Sequence, residues 1–280
     1  MNKARNVERI VASKKVLEGA GVKLNRVFGY YEVPIFDPFL LLDHFKSENP
    51  DDFMAGFPWH PHRGIETVTY MLKGKVRHGD SLGNKGVIES GDVQWMTAGS
   101  GIIHEEMPEN NEDGIEGFQL WVNLSAKNKM NAPRYQEIKK EEIKEVELAN
   151  NVIVKVICGE INGVQGPVKG IAAQPTLFDV HIPGGSTFEY ALNKDQNVSA
   201  YIYKGSAFLG ENIEVDELTS IVFGEGDFVR IEARLEAVRA LLISGFPLNE
   251  EIAWNGPIVM NSKEELKTAF SEFRNGTFIK

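Results

Sequence analysis

Strand-length runs follow one another along this 280-residue chain: IETVTYML, GFQLWVNL, NVIVKVIC, TLFDVHI, SAYIYKGSAFLG and VRALLISGF. Each is rich in β-branched or aromatic residues and is bounded by Gly, Pro, Asn or Asp, the residues that turn a chain. Long stretches of helical periodicity are nearly absent, which makes the chain all-β, a sandwich or a barrel. The exception is SKEELKTAFSEFRNG near the far end. There Ser262 and Glu265 have capping-box spacing, Leu266, Ala269, Phe270 and Phe273 form one apolar stripe, and Gly276 supplies a stop. This pattern predicts a short helix that closes one face of the second half.

The length suggests about two domains. Residues 127–151, KNKMNAPRYQEIKKEEIKEVELANN, are charged and weakly apolar and read as a connector near the middle. The halves on either side echo each other. YMLKGKV and SGDVQWM in the first answer to YIYKGSA and GEGDFVR in the second: an aromatic-rich strand meets Lys-Gly, and a Gly-Asp turn later leads into another strand. A duplicated β-domain follows, residues 1–135 and residues 136–280, with the divide between Ala126 and Asn151 and the helix ending the second domain.

Composition excludes several function classes. Hydrophobic residues make up 42% of the chain and charged residues 25%, ordinary values for a protein that buries a core. The formal net charge of -10 repels phosphate backbones and argues against direct nucleic-acid binding. No run of about 18 apolar residues is present, so no membrane span is expected. The N-terminal residues lack the apolar core of a signal peptide, and the single cysteine, Cys158, has no internal disulfide partner. These features point to the cytosol.

The chain has six histidines, and His60 and His62 are one residue apart in FPWHPHRGIETVTYMLKG. On a strand, residues i and i+2 project from the same face. A second pair with this spacing, His104 and Glu106, follows in GDVQWMTAGSGIIHEEMP. If the two strands face one another, three imidazoles and one carboxylate meet. Nitrogen and carboxylate oxygen without thiolate suit Fe(II), Mn(II), Ni(II), Cu(II) or Zn(II), and four ligands leave an octahedral ion with open positions. Each residue also has a plainer reading: surface histidines, a core imidazole, an exposed acidic pair. The concentration of half the histidines in two such pairs favours the metal. Glu66 shares the histidines' face if the strand runs on unbroken, whereas a bulge at Gly64 would turn it away. Alternation points Arg63 away from the histidines and toward solvent. Trp95 and Met96 read as packing between sheets, Cys158 as a buried small hydrophobe and His181 as structural.

HPHRGIETVTYMLKG and GDVQWMTAGSGIIHEEMP resemble the two signature stretches of the pirin family, a branch of the cupin superfamily. The likeness extends to VFGYYEVPIFDPFLLLDHF, CGEINGVQGPV and LNEEIAWNGPIVMNSKEEL, and so covers nearly the whole chain. Thr97 stands where many cupins have proline. His44 stands where an acidic residue is expected and reads as a surface difference. The resemblance implies a bicupin: two antiparallel jelly-roll β-barrels, with metal in the first only. The family's ligands, three histidines and a glutamate, fall on His60, His62, His104 and Glu106, and the usual metal is iron. Glu66 then becomes a group behind the ligands or in the core.

The resemblance also implies an activity, quercetin 2,3-dioxygenase, which opens a flavonol ring with dioxygen and releases carbon monoxide. A flavonol would chelate the metal through adjacent oxygens, and Glu106, or else Glu66, would accept the hydroxyl proton as general base. Eukaryotic family members act as nuclear cofactors that bind transcription regulators. The alternative is therefore a metal-containing regulatory module that modulates a protein partner, with incidental quercetin turnover. The mouth of the first barrel separates the two readings. An open apolar pocket reaching the metal favours the enzyme, and a plugged one favours the module.

Overall fold

The structure, a computed structural model, describes residues 3–109, 113–210 and 213–280. Among these residues the regular structure is antiparallel β with short 3-10 turns and one α-helix, Lys263–Arg274. The helix forms where the sequence places it. The Ser262 hydroxyl accepts from the Glu265 amide at 3.2 Å, and Glu265 Oε2 accepts from the Ser262 amide at 2.9 Å.

The chain forms two compact units, and each contains one seven-stranded and one four-stranded sheet. In the first unit the central strands of the large sheet are Ile65–Lys73, Ile115–Asn123 and Phe39–Ser47, and the small sheet contains Phe57–His62 and Ile102–Pro108. In the second unit the large sheet is centred on Asn197–Lys204, Val238–Gly245 and Thr176–Ile182, and the small sheet on Phe228–Ala233. Its two inner faces share one apolar core, from Phe178, Val180, Ala200 and Leu242 on one sheet to Phe188 and Ile231 on the other.

The units do not coincide with residues 1–135 and 136–280. The chain passes from one to the other between Lys140 and Glu141, but its two ends are exchanged. Strand Val7–Ala12 pairs with Thr219–Phe223 on an edge of the second unit's large sheet. Residues Leu248–Lys280, with the helix, belong to the first unit rather than the second. The helix's stripe explains its place. Ala269 is fully buried in a cluster with Ile258, Met260 and Phe278, and Leu266, Phe270 and Ile103 lie against it. A strand edge needs a hydrogen-bonding partner and an apolar stripe needs cover, but neither requirement names a partner more than 150 residues away. No helix among the described residues is long and apolar enough to cross a membrane.

Candidate metal centre

Two neighbouring strands bring the histidines together. Phe57–His62 pairs with Ile102–Pro108 in a register that sets His104 directly opposite His60. The ring nitrogens converge: His60 Nε2 lies 3.1 Å from His62 Nε2 and 3.0 Å from His104 Nε2. Ligand atoms of the three side chains all lie within 4.8 Å of one another.

The remaining ring nitrogens show why this arrangement calls for a cation. His60 Nδ1 donates to the Pro58 carbonyl at 2.9 Å, and His62 Nδ1 donates to the Pro257 carbonyl at 3.1 Å. An imidazole whose Nδ1 carries its proton presents a lone pair at Nε2. Two lone pairs therefore face each other at 3.1 Å. Protons do not relieve the repulsion, because burial lowers His60 below the usual histidine range, and burial with neighbouring imidazoles takes His62 and His104 well below it. Two nitrogens bound at right angles, each about 2.1 Å from one ion, stand about 3.0 Å apart, which is the spacing found here. The three histidines fit one divalent ion and leave it open positions.

Glu106 lines the same cavity but lies outside the 4.8 Å group of histidines. Its Oε1 is 2.8 Å from the Thr69 hydroxyl, which also lies 2.7 Å from Gln119 Oε1. Burial pushes its carboxyl up to about 7. Glu66 occupies a different sheet. At Gly64 the backbone turns with φ +79°, and a Cβ there would stand 1.9 Å from the Val259 carbonyl oxygen, so only glycine fits. The chain leaves the small sheet at His62 and re-enters the large one at Ile65. Glu66 is buried, accepts from the Thr97 hydroxyl at 2.7 Å and is absent from the cavity wall. Burial raises its carboxyl, and the side chains of Thr97 and Trp95 oppose this.

A cavity of about 780 Å³ opens beside His60, His62 and Glu106. Trp121 lies edge-on to His62 with ring centroids 5.1 Å apart, and Trp254 lies 5.8 Å beyond it. Tyr30 meets Trp254 at 5.5 Å near the surface. The sequence reading missed Trp121 and Trp254 and weighed Trp95 instead, which is fully buried and off the cavity. The signal was present in GFQLWVNL, where Gln119 and Trp121 alternate with buried Phe118, Leu120 and Val122.

Two expectations are overturned. Arg63 is 2% exposed rather than solvated. It pairs with Glu272 at 2.6 Å, donates to the Phe278 carbonyl at 2.8 Å and lies 4.2 Å above the Phe278 ring. A residue that alternates away from the cavity meets solvent only if nothing covers that face, and here Leu248–Lys280 covers it. His44 is likewise fully buried, beside the Phe118 ring at 4.7 Å and 3.4 Å from Glu116. Lys129, which the sequence did not single out, is buried beneath the Gly64 bend. Its Nζ lies 2.9 Å from the Gly64 carbonyl, 2.8 Å from Asn123 Oδ1 and 3.0 Å from the Val259 carbonyl.

Relatives agree with this architecture along the whole chain. The pirin family profile matches residues 21–122, and the pirin C-terminal cupin domain matches residues 177–279. A pirin-like protein from Caulobacter vibrioides is 46% identical over 275 residues, covering 98% of this chain and 99% of that one. The chain belongs to the pirin family. Human pirin is 39% identical over 281 residues, covering 98% of this chain and 94% of its own. Among solved structures, a quercetin 2,3-dioxygenase from Acinetobacter baumannii superposes with a TM-score of 0.91 at 30% identity, covering 98% of each chain. Both units are thus cupin domains, as the family resemblance implies.

Proposed function

We propose that this chain is a metal-dependent dioxygenase of the quercetin 2,3-dioxygenase type, acting on flavonols with dioxygen. The observation that carries the reading is the cavity: about 780 Å³, walled by Trp121 and Trp254, and open directly onto His60 and His62. Such a space suits a flat aromatic ligand with oxygen atoms at one end. The name of the Acinetobacter structure supports the same reaction class. An open cavity is also what separates an enzyme from a regulatory module whose barrel is plugged.

His60, His62 and His104 would hold the ion, with Glu106 as fourth ligand, and Fe(II) is the metal we assign. When bound, the metal supplies Lewis acidity and the redox chemistry toward dioxygen. The protein supplies the rest. Pro58 and Pro257 carbonyls fix the tautomers of His60 and His62. Trp121 and Trp254 orient the ring system and exclude water from it. Glu106, whose Oε1 is held by Thr69, would take the substrate hydroxyl proton at Oε2 on swinging off the metal. Glu66 has no direct part, because it lies behind the Gly64 turn. We assign the second unit no metal, and the protein to the cytosol, where Cys158 stays reduced. Metal analysis with flavonol consumption under air tests the proposal. One metal per chain and turnover are expected. Metal without turnover at any loading rejects the oxygenase and leaves a regulatory module.

A further inference from the structure

On the large-sheet face that also carries Trp121, strand register places Thr69, Gln119, Asp43 and Arg26 in one row across four neighbouring strands. Thr69 pairs with Gln119, Gln119 with Asp43 and Asp43 with Arg26. Directly opposed residues point to the same face, and all four line the cavity. Adjacent strands are about 4.8 Å apart, so Asp43 lies about 10 Å and Arg26 about 14 Å across the sheet from Thr69. Thr69 anchors the row to Glu106, and from there the row runs across the sheet to Arg26.

The chemistry of that far end is specific. Arg26 grips Asp43 through Nε at 2.9 Å and through a terminal nitrogen at 2.8 Å, and its other terminal nitrogen meets Glu18 at 2.7 Å. Two carboxylates share one guanidinium. At this end Glu18 and Asp43 stand against Arg26, the one arginine or lysine of the described cavity lining. Gln119 meets Thr69 with one end of its amide, which leaves the other end for the cavity. The wall therefore presents an amide N–H donor beside carboxylate acceptors, which together suit a hydroxyl that accepts from the one and donates to the other, and the net negative charge of Glu18 and Asp43 against Arg26 opposes anions.

We infer that the Gln119–Asp43–Arg26 row is the specificity wall of this cavity: it binds hydroxyl groups on the part of a flat aromatic substrate remote from the histidines, and rejects substrates carrying an anionic group there. The inference rests on the flavonol reading above and adds the substrate class within it, neutral and polyhydroxylated.

The test is anaerobic binding of three flavonols to the metal-loaded protein, followed by quenching of tryptophan fluorescence. All three share the chelating hydroxy-ketone. They differ on the remote ring, which carries two hydroxyls, none, or a sulfonate. Wild type is expected to bind the dihydroxy ligand about tenfold more tightly than the bare one, and the sulfonate at least tenfold more weakly than the dihydroxy ligand. Gln119→Leu should bring the first ratio toward one. Glu18→Gln, at a half-exposed position that leaves the Arg26–Asp43 pair intact, should relieve the sulfonate penalty. Equal binding of all three ligands by wild type overturns the wall alone, as does a Gln119→Leu variant that keeps the hydroxyl preference. If a metal-loaded protein binds none of the three, the flavonol reading falls and takes this inference with it.

Discussion

The two units have the same complement of sheets, seven strands and four, and fill them in opposite ways. In the second unit Phe178, Phe188, Val180, Ile231 and Leu242 close the interior, each fully buried. In the first, one apolar cluster gathers around Phe45, Phe53 and Ile115 and another around Met260 and Phe278 against the helix. The same unit holds the cavity with its imidazoles, carboxylates and Arg26. One sandwich of strands can be held by its side chains alone. The other carries groups whose burial costs stability, offset in part by pairs such as Arg26 with Asp43 and Glu106 with Thr69. The difference between a stabilising domain and a binding domain is thus written in the inward-facing residues of otherwise similar strands.

The largest effect that sharpens this contrast is at the metal. His104→Ala should lower metal affinity more than a hundredfold while the melting temperature of the metal-free protein shifts by only a few degrees, read by metal analysis and calorimetry. Two metals per chain in wild type would break the contrast outright. Phe188→Ala, in the filled unit, should cost about 3–5 kcal/mol in denaturant unfolding and leave the metal content of folded protein near one per chain. Glu272→Gln strips the buried Arg63 of its ion pair and should cost about 3 kcal/mol, whereas Glu189→Gln, on the half-exposed pair with Arg230 in the second unit, should cost under about 1 kcal/mol. Equal costs would show that the covering of Arg63 is not maintained in solution.

The last effect is a dependence on pH. Glu106 is raised from 4.5 to about 7 in the fold, so the native state holds a proton that the unfolded chain has released. Its contribution is full below about pH 4.5 and is lost as pH rises through about 7, up to about 3 kcal/mol in all. Asp43, pushed up to about 6 chiefly by burial, acts in the same direction. Over the same range the histidines, lowered by burial, act in the opposite direction, so the carboxyl contribution is read as a difference between two metal-free proteins. Relative to Glu106→Gln, wild type should lose stability as pH rises from about 5 to about 7, and unfolding midpoints of the pair across that range read it directly.

What could be read from the sequence depended on distance along the chain. The i, i+2 spacing of His60 with His62 and of His104 with Glu106 is local, and alternation on a strand carries it into the fold unchanged. The capping box of the C-terminal helix is local too. Glu66 was ambiguous because one glycine decides its register, and Gly64 became decisive only when the Val259 carbonyl was seen to occupy the space of a side chain. Arg63 and His44 were misplaced because the groups that bury them, Glu272 and Glu116, lie 209 and 72 residues away. The Asp43–Arg26 row escaped notice for another reason. Each of its members is an ordinary strand residue, and only the register of four strands turns them into a surface.

Pro257 comes 195 residues after His62, yet its carbonyl orients that imidazole. During synthesis on the ribosome, the histidines emerge long before the segment that fixes their tautomer and covers Arg63. A nascent chain that has released both cupin motifs thus holds three imidazoles without their full support. The proposed metal site is complete only with the arrival of residues 253–278, and a product that stops before them is left without a finished site.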